Sequence, residues 1–384
     1  MRLLMIGNVP LDSRLGSGKT RIQWSEGLKK LGHQVDVWEP KDYEWRYGTR
    51  TPAKKLRQSW GSWHKSRQSK INQGYDAVLL YGDEFWSISS WLRKQLPRPF
   101  IISGSDGVEI IMMERLWAME GAPENWKKQL RRWWDQFLYY PLSKKAFRQT
   151  EALICGSGGD VEEMIRRGYY ERNQTAVIPP GVDPYLLQDR EGKERTISIA
   201  FNGSWIARKG IDLFVRVTSS ILKNKTSVQI AVLGTGMRAN EIQSLYSESV
   251  RSQVIVYPPH DSRELREVLD KTKVFFLPTQ YEGFGMATSE AMACGCVVVT
   301  TPTGFGAELV SGQEGLIFEF NDEKGMEKGI LDLLDNESQW QRISLEGRKK
   351  VSQFYWENSI RELERNMIAW TNDKKDQNSK TKRL

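Results

Sequence analysis

Short, almost unbroken runs of Val, Ile, Leu and Phe recur along this chain, with stretches of helical spacing between them. In the first half the runs fall at 2–8, 34–39, 77–82, 100–104 and 152–156. In the second half they fall at 197–202, 228–233, 254–257, 274–278 and 297–301. A strand that is apolar throughout must be covered on both faces of its sheet. Amphipathic stretches such as Arg21–Leu31, Asp212–Leu222, Ser262–Leu269 and Ser289–Ala293 supply the cover. Strand–helix–strand alternation of this kind predicts an α/β protein with parallel sheets. The pattern restarts after the polar segment Gln188–Arg195, which follows Pro179-Pro180-Gly181. A chain of 384 residues suits two domains, on a prior of about 150 residues each. The expected division is 1–187 and 188–353, then a closing helix over 354–371 that returns to the first domain. Residues 372–384 are polar and aromatic-free, and are expected to be disordered.

No apolar run approaches the roughly 18 to 20 residues that a spanning helix needs. The opening Met1–Gly7 is too short for a signal sequence and reads as a first strand. The three cysteines, Cys155, Cys294 and Cys296, make no disulfide framework, and two of them sit in an apolar run. Buried thiols predict a reducing, cytoplasmic location. The net charge of +8 is unevenly spread. Residues 1–190 hold 30 Lys and Arg against 22 Asp and Glu, whereas residues 191–384 balance at 26 each.

Two such domains facing each other form a cleft, and open parallel sheets bind ligands beyond the C-terminal ends of their strands. After strand 274–278 the chain reads Pro278-Thr-Gln-Tyr-Glu282-Gly-Phe-Gly285-Met-Ala-Thr-Ser-Glu290. Gly283 and Gly285 allow a ligand close to the backbone. The helix expected from about Met286 aims its positive end at that loop, a ready diphosphate site. Eight helical residues would rise about 12 Å, so Glu282 and Glu290 are spaced for two ends of an elongated ligand rather than for a hydrolytic pair.

Tyr-Glu-Gly-Phe-Gly-x4-Glu-Ala-Met-Ala-Cys-Gly resembles the signature of the "group 1" retaining, nucleotide-sugar-dependent glycosyltransferases. The resemblance extends over nearly the whole chain. It includes Gly16-Ser-Gly18, Ile178-Pro-Pro-Gly-Val-Asp183, Phe201-Asn-Gly-Ser-Trp-Ile-Ala-Arg-Lys-Gly210, Leu233-Gly234-Thr-Gly236, Thr303-Gly304-x3-Glu308 and Phe354-Tyr-Trp-Glu357. It implies the GT-B fold, with two Rossmann-like domains, and a UDP- or GDP-sugar donor with no further cofactor and no metal. It implies that Glu282 contacts the donor sugar and supports charge at the reacting carbon, and that Glu290 accepts from the nucleotide ribose. Lys209 and Arg208 would neutralise the diphosphate, aided by the amides near Gly283, Phe284, Gly285 and Met286. Gly16 and Gly18 would let the first domain close over the same phosphates, and Gly234 and Ser204 would belong to the donor pocket. The chain contains no Asp-x-Asp, so Lys, Arg and a helix dipole must replace a metal clamp.

Two positions depart from the family pattern. Ser204 follows Gly203 where the family has Arg, and Ile102-Ser103-Gly104-Ser105-Asp106 stands where it has His-Gly. The histidines His33, His64 and His260 lie elsewhere, so Ser103 or Asp106 must take over, with Asp106 a catalytic candidate. These departures admit a non-catalytic homologue that binds nucleotide sugar or a polyanion. Gly16-Ser-Gly-Lys-Thr20 imitates a P-loop, but Ser13 stands where that motif needs Gly, and Lys19 reads as a cleft-mouth or surface charge. His33, at a helix-to-strand turn, reads as structural. Residues 41–70 carry nine basic and two acidic side chains interleaved with Tyr43, Trp45, Tyr47, Trp60 and Trp63. In 126–140, Leu130, Trp133, Trp134 and Phe137 recur at helical spacing among Lys127, Lys128, Arg131 and Arg132. Both stretches suit an anionic membrane surface, though the second equally suits a core helix with a basic outer side. The expected acceptor is a glycan or lipid-linked sugar; a nucleic-acid acceptor is the weaker alternative.

Overall fold

The computed structural model describes residues 1–48, 53–120, 125–188, 194–258 and 261–381. His260 and most of the segment 188–195 therefore lie outside the described residues. The strands are β1 (Arg2–Gly7), β2 (Gln34–Trp38), β3 (Ala77–Tyr81), β4 (Phe100–Ser105), β5 (Ala152–Cys155), β6 (Thr175–Val177), β7 (Ile197–Asn202), β8 (Ile230–Leu233), β9 (Val254–Val256), β10 (Thr272–Leu277), β11 (Val297–Thr300) and β12 (Leu316–Ile317). The helices used below are α1 (Gly16–Lys30), α2 (Lys54–Gln68), α3 (Trp126–Trp134), α4 (Tyr140–Arg148), α5 (Ile211–Asn224), α6 (Met286–Ala293) and α7 (Trp356–Thr381).

The chain forms two compact units, one of Met1–Pro179 with the chain from Trp356 on, the other of Pro180–Tyr355. The passage falls at Pro179-Pro180, some residues before the polar segment that the sequence suggests as linker. The reason is packing. Val182 and Leu186 are fully buried in the core of the second unit, and the Val182 N–H donates to Phe354 O at 2.8 Å. At the other end, α7 runs to Thr381, past the position where a disordered tail is expected.

Each unit holds a six-stranded parallel sheet. The orders are β2-β1-β3-β4-β5-β6 and β12-β11-β10-β7-β8-β9. The apolar runs form the central strands; every residue of β3 and β11 is buried. The edge strands β6 and β12, of only three and two residues, are not among the runs that the sequence marks. In each sheet the strand order reverses once, between β1 and β3 in the first unit and between β7 and β10 in the second. Such a switch point opens a crevice where two neighbouring loops leave in opposite directions.

In the first unit α7 packs along α1. Trp24, 1% exposed, donates its Nε1–H to Ser359 Oγ at 2.9 Å. Nearby, His33 Nε2 lies 2.7 Å from Glu364 Oε1, and Trp370 donates to Asn173 O at 2.8 Å. Trp24→Phe keeps the ring volume but leaves the buried Ser359 hydroxyl without that donor. It is expected to destabilise the first unit by about 1–2 kcal/mol, read as a lower urea midpoint; an unchanged midpoint would show that the bond contributes nothing.

Candidate active site

The site is built at the switch point of the second sheet. From β7 the chain enters the loop 203–210, and from β10 it enters 278–285, so residues 73 apart in sequence meet. Lys209 Nζ donates to Glu282 Oε1 at 2.6 Å, and the Thr279 hydroxyl donates to the same oxygen at 2.9 Å. The Arg208 guanidinium lies 4.0 Å from Glu282 Oε2 and donates to Tyr281 O at 2.6 Å. The two loops are also stitched along their backbones, Gln280 N to Arg208 O at 2.8 Å. Burial pushes the Glu282 carboxyl up, but Lys209, Arg208 and the hydrogen bonds outweigh it, and it sits below the ordinary Glu value. A carboxylate is thus held ionised within a cationic pocket.

Beyond Glu282 the chain turns at Gly285, which has a positive φ of 96° and caps α6 without a side chain. Phe284 stacks on Phe305 at 5.2 Å, and Phe354 completes the cluster. The Phe305 N–H donates to Phe284 O at 2.7 Å, so the loop carrying Gly304 braces the loop carrying Glu282. Glu290, one turn into α6, is 9% exposed. Gly283 lies between Glu282 and Phe284 in the same loop, and Met286 opens α6. Ser204 is exposed in the loop after β7. The Trp205 N–H donates to Thr235 O at 3.1 Å, which brings the Gly234 turn against that loop.

In the first unit, Gly16 starts α1 and Gly18 lets the segment 8–15 fold over its first turn: a Cβ at Gly18 would lie 2.4 Å from Asp12 O. That folding buries Lys19 to 7% exposure, so Lys19 is not the surface charge its sequence context suggests. Asp106, beyond β4, is exposed, accepts from Tyr81 Oη at 2.9 Å and is hydrogen-bonded by Ser17 of the glycine loop. Ser103 is buried and bonded to Tyr170. Of these two residues Ser103 is closed off and Asp106 is exposed.

Two groups of residues escaped the sequence reading. Thr279 is one; its signal is its place directly after β10. The other is Asp83, Glu84 and Glu109, whose carboxylate oxygens lie within 4.8 Å of one another. Lys55 Nζ donates to both Asp83 oxygens at 2.8 Å, and Asn8 Nδ2 to Glu84 at 2.8 Å. Burial and the Asp83 charge push Glu84 up to about 7. Asp83 and Glu84 directly follow β3 at the first sheet's switch point, which is the signal that could have found them. A cavity of about 260 Å³ in the second unit, lined by Arg195, Arg266, Asp270, Trp340, Ser344 and Arg348 among others, contains none of the site residues. Its Arg195 donates to the carbonyls of Leu269 and Cys294, a structural tie across strand ends.

The family model for glycosyl transferases group 1 matches residues 187–350, and that for glycosyltransferase family 4 matches residues 16–186. The chain belongs to the group 1 glycosyltransferases. Within this family it is similar to an MMP alpha-(1->4)-mannosyltransferase of Mycolicibacterium hassiacum, with 26% identity over 60% of this chain and 57% of that protein. It is also similar to the capsular polysaccharide biosynthesis glycosyltransferase CapM of Staphylococcus aureus, with 31% identity over 58% of this chain and 63% of that protein. The match thus spans less than two thirds of the length of these curated relatives. The sucrose-phosphate synthase of Thermosynechococcus elongatus has the same fold, with a TM-score of 0.75 over 96% of this chain and 99% of that one at 19% identity. The fold is GT-B. In this group 1 glycosyltransferase no helix among the described residues is long and apolar enough to cross a membrane.

Proposed function

We propose that the protein transfers a hexose from a UDP- or GDP-sugar to a glycan or lipid-linked acceptor, with retention at the anomeric carbon and without a metal. The observation that carries this reading is the Lys209–Glu282–Arg208 constellation at the switch point, beside the N-terminus of α6. In the reaction the acceptor oxygen bonds to the anomeric carbon and the bond from that carbon to the phosphate oxygen breaks. The nucleoside diphosphate leaves with the electron pair, and the hydroxyl proton passes to it or to solvent. Charge therefore grows on the diphosphate, where Lys209, Arg208 and the α6 dipole lower its energy. Glu282 faces positive charge developing at the sugar carbon. Glu290 accepts from the ribose, and Asp106 is the first unit's candidate for orienting an acceptor hydroxyl. An anionic membrane surface is the proposed partner of the basic stretches 41–70 and 126–140; nucleic acid is the disfavoured alternative.

Thermal melting with UDP, GDP, ADP and dTDP tests the donor site. One nucleotide at about a hundred times its Kd is expected to stabilise the wild type by about 2.7 kcal/mol, and Glu290→Ala is expected to lose most of that. Absence of any shift would favour a homologue without turnover, disabled at Ser103 and Ser204.

A further inference from the structure

Helix α3 has no buried residue. Trp126, Leu130, Trp133, Trp134 and Phe137 are 68%, 49%, 54%, 46% and 65% exposed. Their spacing puts them on one side of the helix, and Trp133 and Phe137, with ring centroids 5.1 Å apart, carry the stripe past the helix end into the π turn Asp135–Tyr139. Single exposed apolar side chains are ordinary; a contiguous row of five large ones marks an interaction surface. Lys127, Lys128, Arg131 and Arg132 occupy the rest of the circumference, with Lys127 Nζ 5.7 Å above the Trp126 ring. The helix is held in place from behind. Asn125 caps it by accepting from Lys128 N at 3.0 Å, and Arg132 donates to Trp117 O at 3.2 Å.

The stretch 41–70 is built differently. Tyr43 is buried, its hydroxyl donating to Gly7 O at 2.7 Å, and Trp63 packs on the core of the first unit. Trp60 remains exposed but stacks on His64 at 5.6 Å, and Arg46 covers Trp45 at 4.4 Å. Two of the five aromatics there serve the fold, and the exposed remainder is spread over α2 and the segment before it.

We propose that α3 with its π turn is the element that inserts into an anionic lipid leaflet. Trp126, Leu130, Trp133, Trp134 and Phe137 lie among the acyl chains and carbonyls, while Lys127, Lys128 and Arg131 lie against the lipid phosphates. This rests on the membrane partner proposed above but not on the donor chemistry. The stripe has the composition of an interfacial helix, with Trp and Phe on one face and Lys and Arg on the other. A second copy of this chain is a poorer occupant. In a twofold pair the same surface faces itself, which would set Lys127, Lys128 and Arg131 against their own copies, with Asp135 the one acidic residue of the described stretch 125–140. An anchor at this place favours a lipid-linked acceptor over a soluble glycan.

The test is co-sedimentation of the full chain with vesicles of phosphatidylcholine, alone or with one part in three phosphatidylglycerol. Wild type is expected to pellet with the anionic vesicles and to be released by salt. The exposed double variant Trp133→Ser/Phe137→Ser is expected to lose at least about tenfold in partitioning, and Lys127→Glu/Arg131→Glu at least about tenfold, both with unchanged melting temperature. Equal binding by wild type and the Ser variant, or no binding by wild type, overturns the proposal. A wild-type dimer that the Ser variant converts to monomer, with vesicle binding unaltered, overturns it in favour of self-association. Turnover of a nucleotide sugar on a soluble acceptor reports separately on the donor site, so either reading can fail alone.

Discussion

Glu282→Gln is expected to lower glycosyl transfer by about a hundred- to a thousandfold and to destabilise the second unit by about 3 kcal/mol or more. Both effects follow from one geometry. Lys209 and Glu282 side chains are 13% and 9% exposed and 2.6 Å apart, so removing the carboxylate strands an ammonium in a place that water hardly reaches. The amide keeps the shape and can still offer its oxygen to Lys209, but it carries no charge and sets an NH2 where Oε2 faced Arg208. Lys209→Met is expected to cost a similar amount, and the double variant less than the sum, because the second change removes the charge that the first left unpaired. Strict additivity would show that the pair is not coupled. The pH dependence has a definite sign. A carboxyl whose pKa is depressed on folding, as that of Glu282 is, adds stability above its unfolded pKa of about 4.3 and loses it as pH falls through the folded value. The gap in melting temperature between wild type and Glu282→Gln is therefore expected to be widest at neutral pH and to close below about pH 4. A gap that widens on acidification would contradict the assigned ion pair.

Gly210→Ala is expected to destabilise the second unit by at least about 3 kcal/mol more than Gly236→Ala, and to abolish the nucleotide-induced thermal shift. Both glycines have a φ of +69°, so both substitutions meet the same left-handed strain of about 1–2 kcal/mol. They differ in surroundings. A Cβ at Gly236 meets nothing within 4 Å, whereas one at Gly210 would lie 1.7 Å from Pro278 O. That carbonyl is backbone at the head of the Glu282 loop and cannot swing away like a side chain. Relief requires the loops 203–210 and 278–285 to part, which pulls Lys209 and Arg208 from Glu282. Equal losses for the two variants, with nucleotide binding kept, would show that the loops tolerate separation.

The parts of this protein legible in its sequence are those encoded by neighbours. Apolar runs too continuous to face water on either side require parallel, doubly covered strands, and the glycines with the helix after Pro278 mark a phosphate-friendly strand end. Glu282 stands out in the glycine loop that follows β10, whereas Lys209 and Arg208, well beyond the end of β7, are named only through the family resemblance. Sequence left other matters open because they depend on what packs against what. Crossovers, not local pattern, place β7 beside β10, and only that adjacency brings Lys209 onto Glu282. Residues 180–187 are expected from sequence in the first domain, yet burial of Val182 and Leu186 assigns them to the second unit. Asp83, Glu84 and Glu109 are unremarkable apart along the chain and become a carboxylate cluster only when β3 and the segment after β4 meet. The helical spacing of Trp126–Phe137 is the same for a core helix and a surface one. Among the described residues no element covers it, which makes it a surface helix, since burial is a property of neighbours in space rather than in sequence.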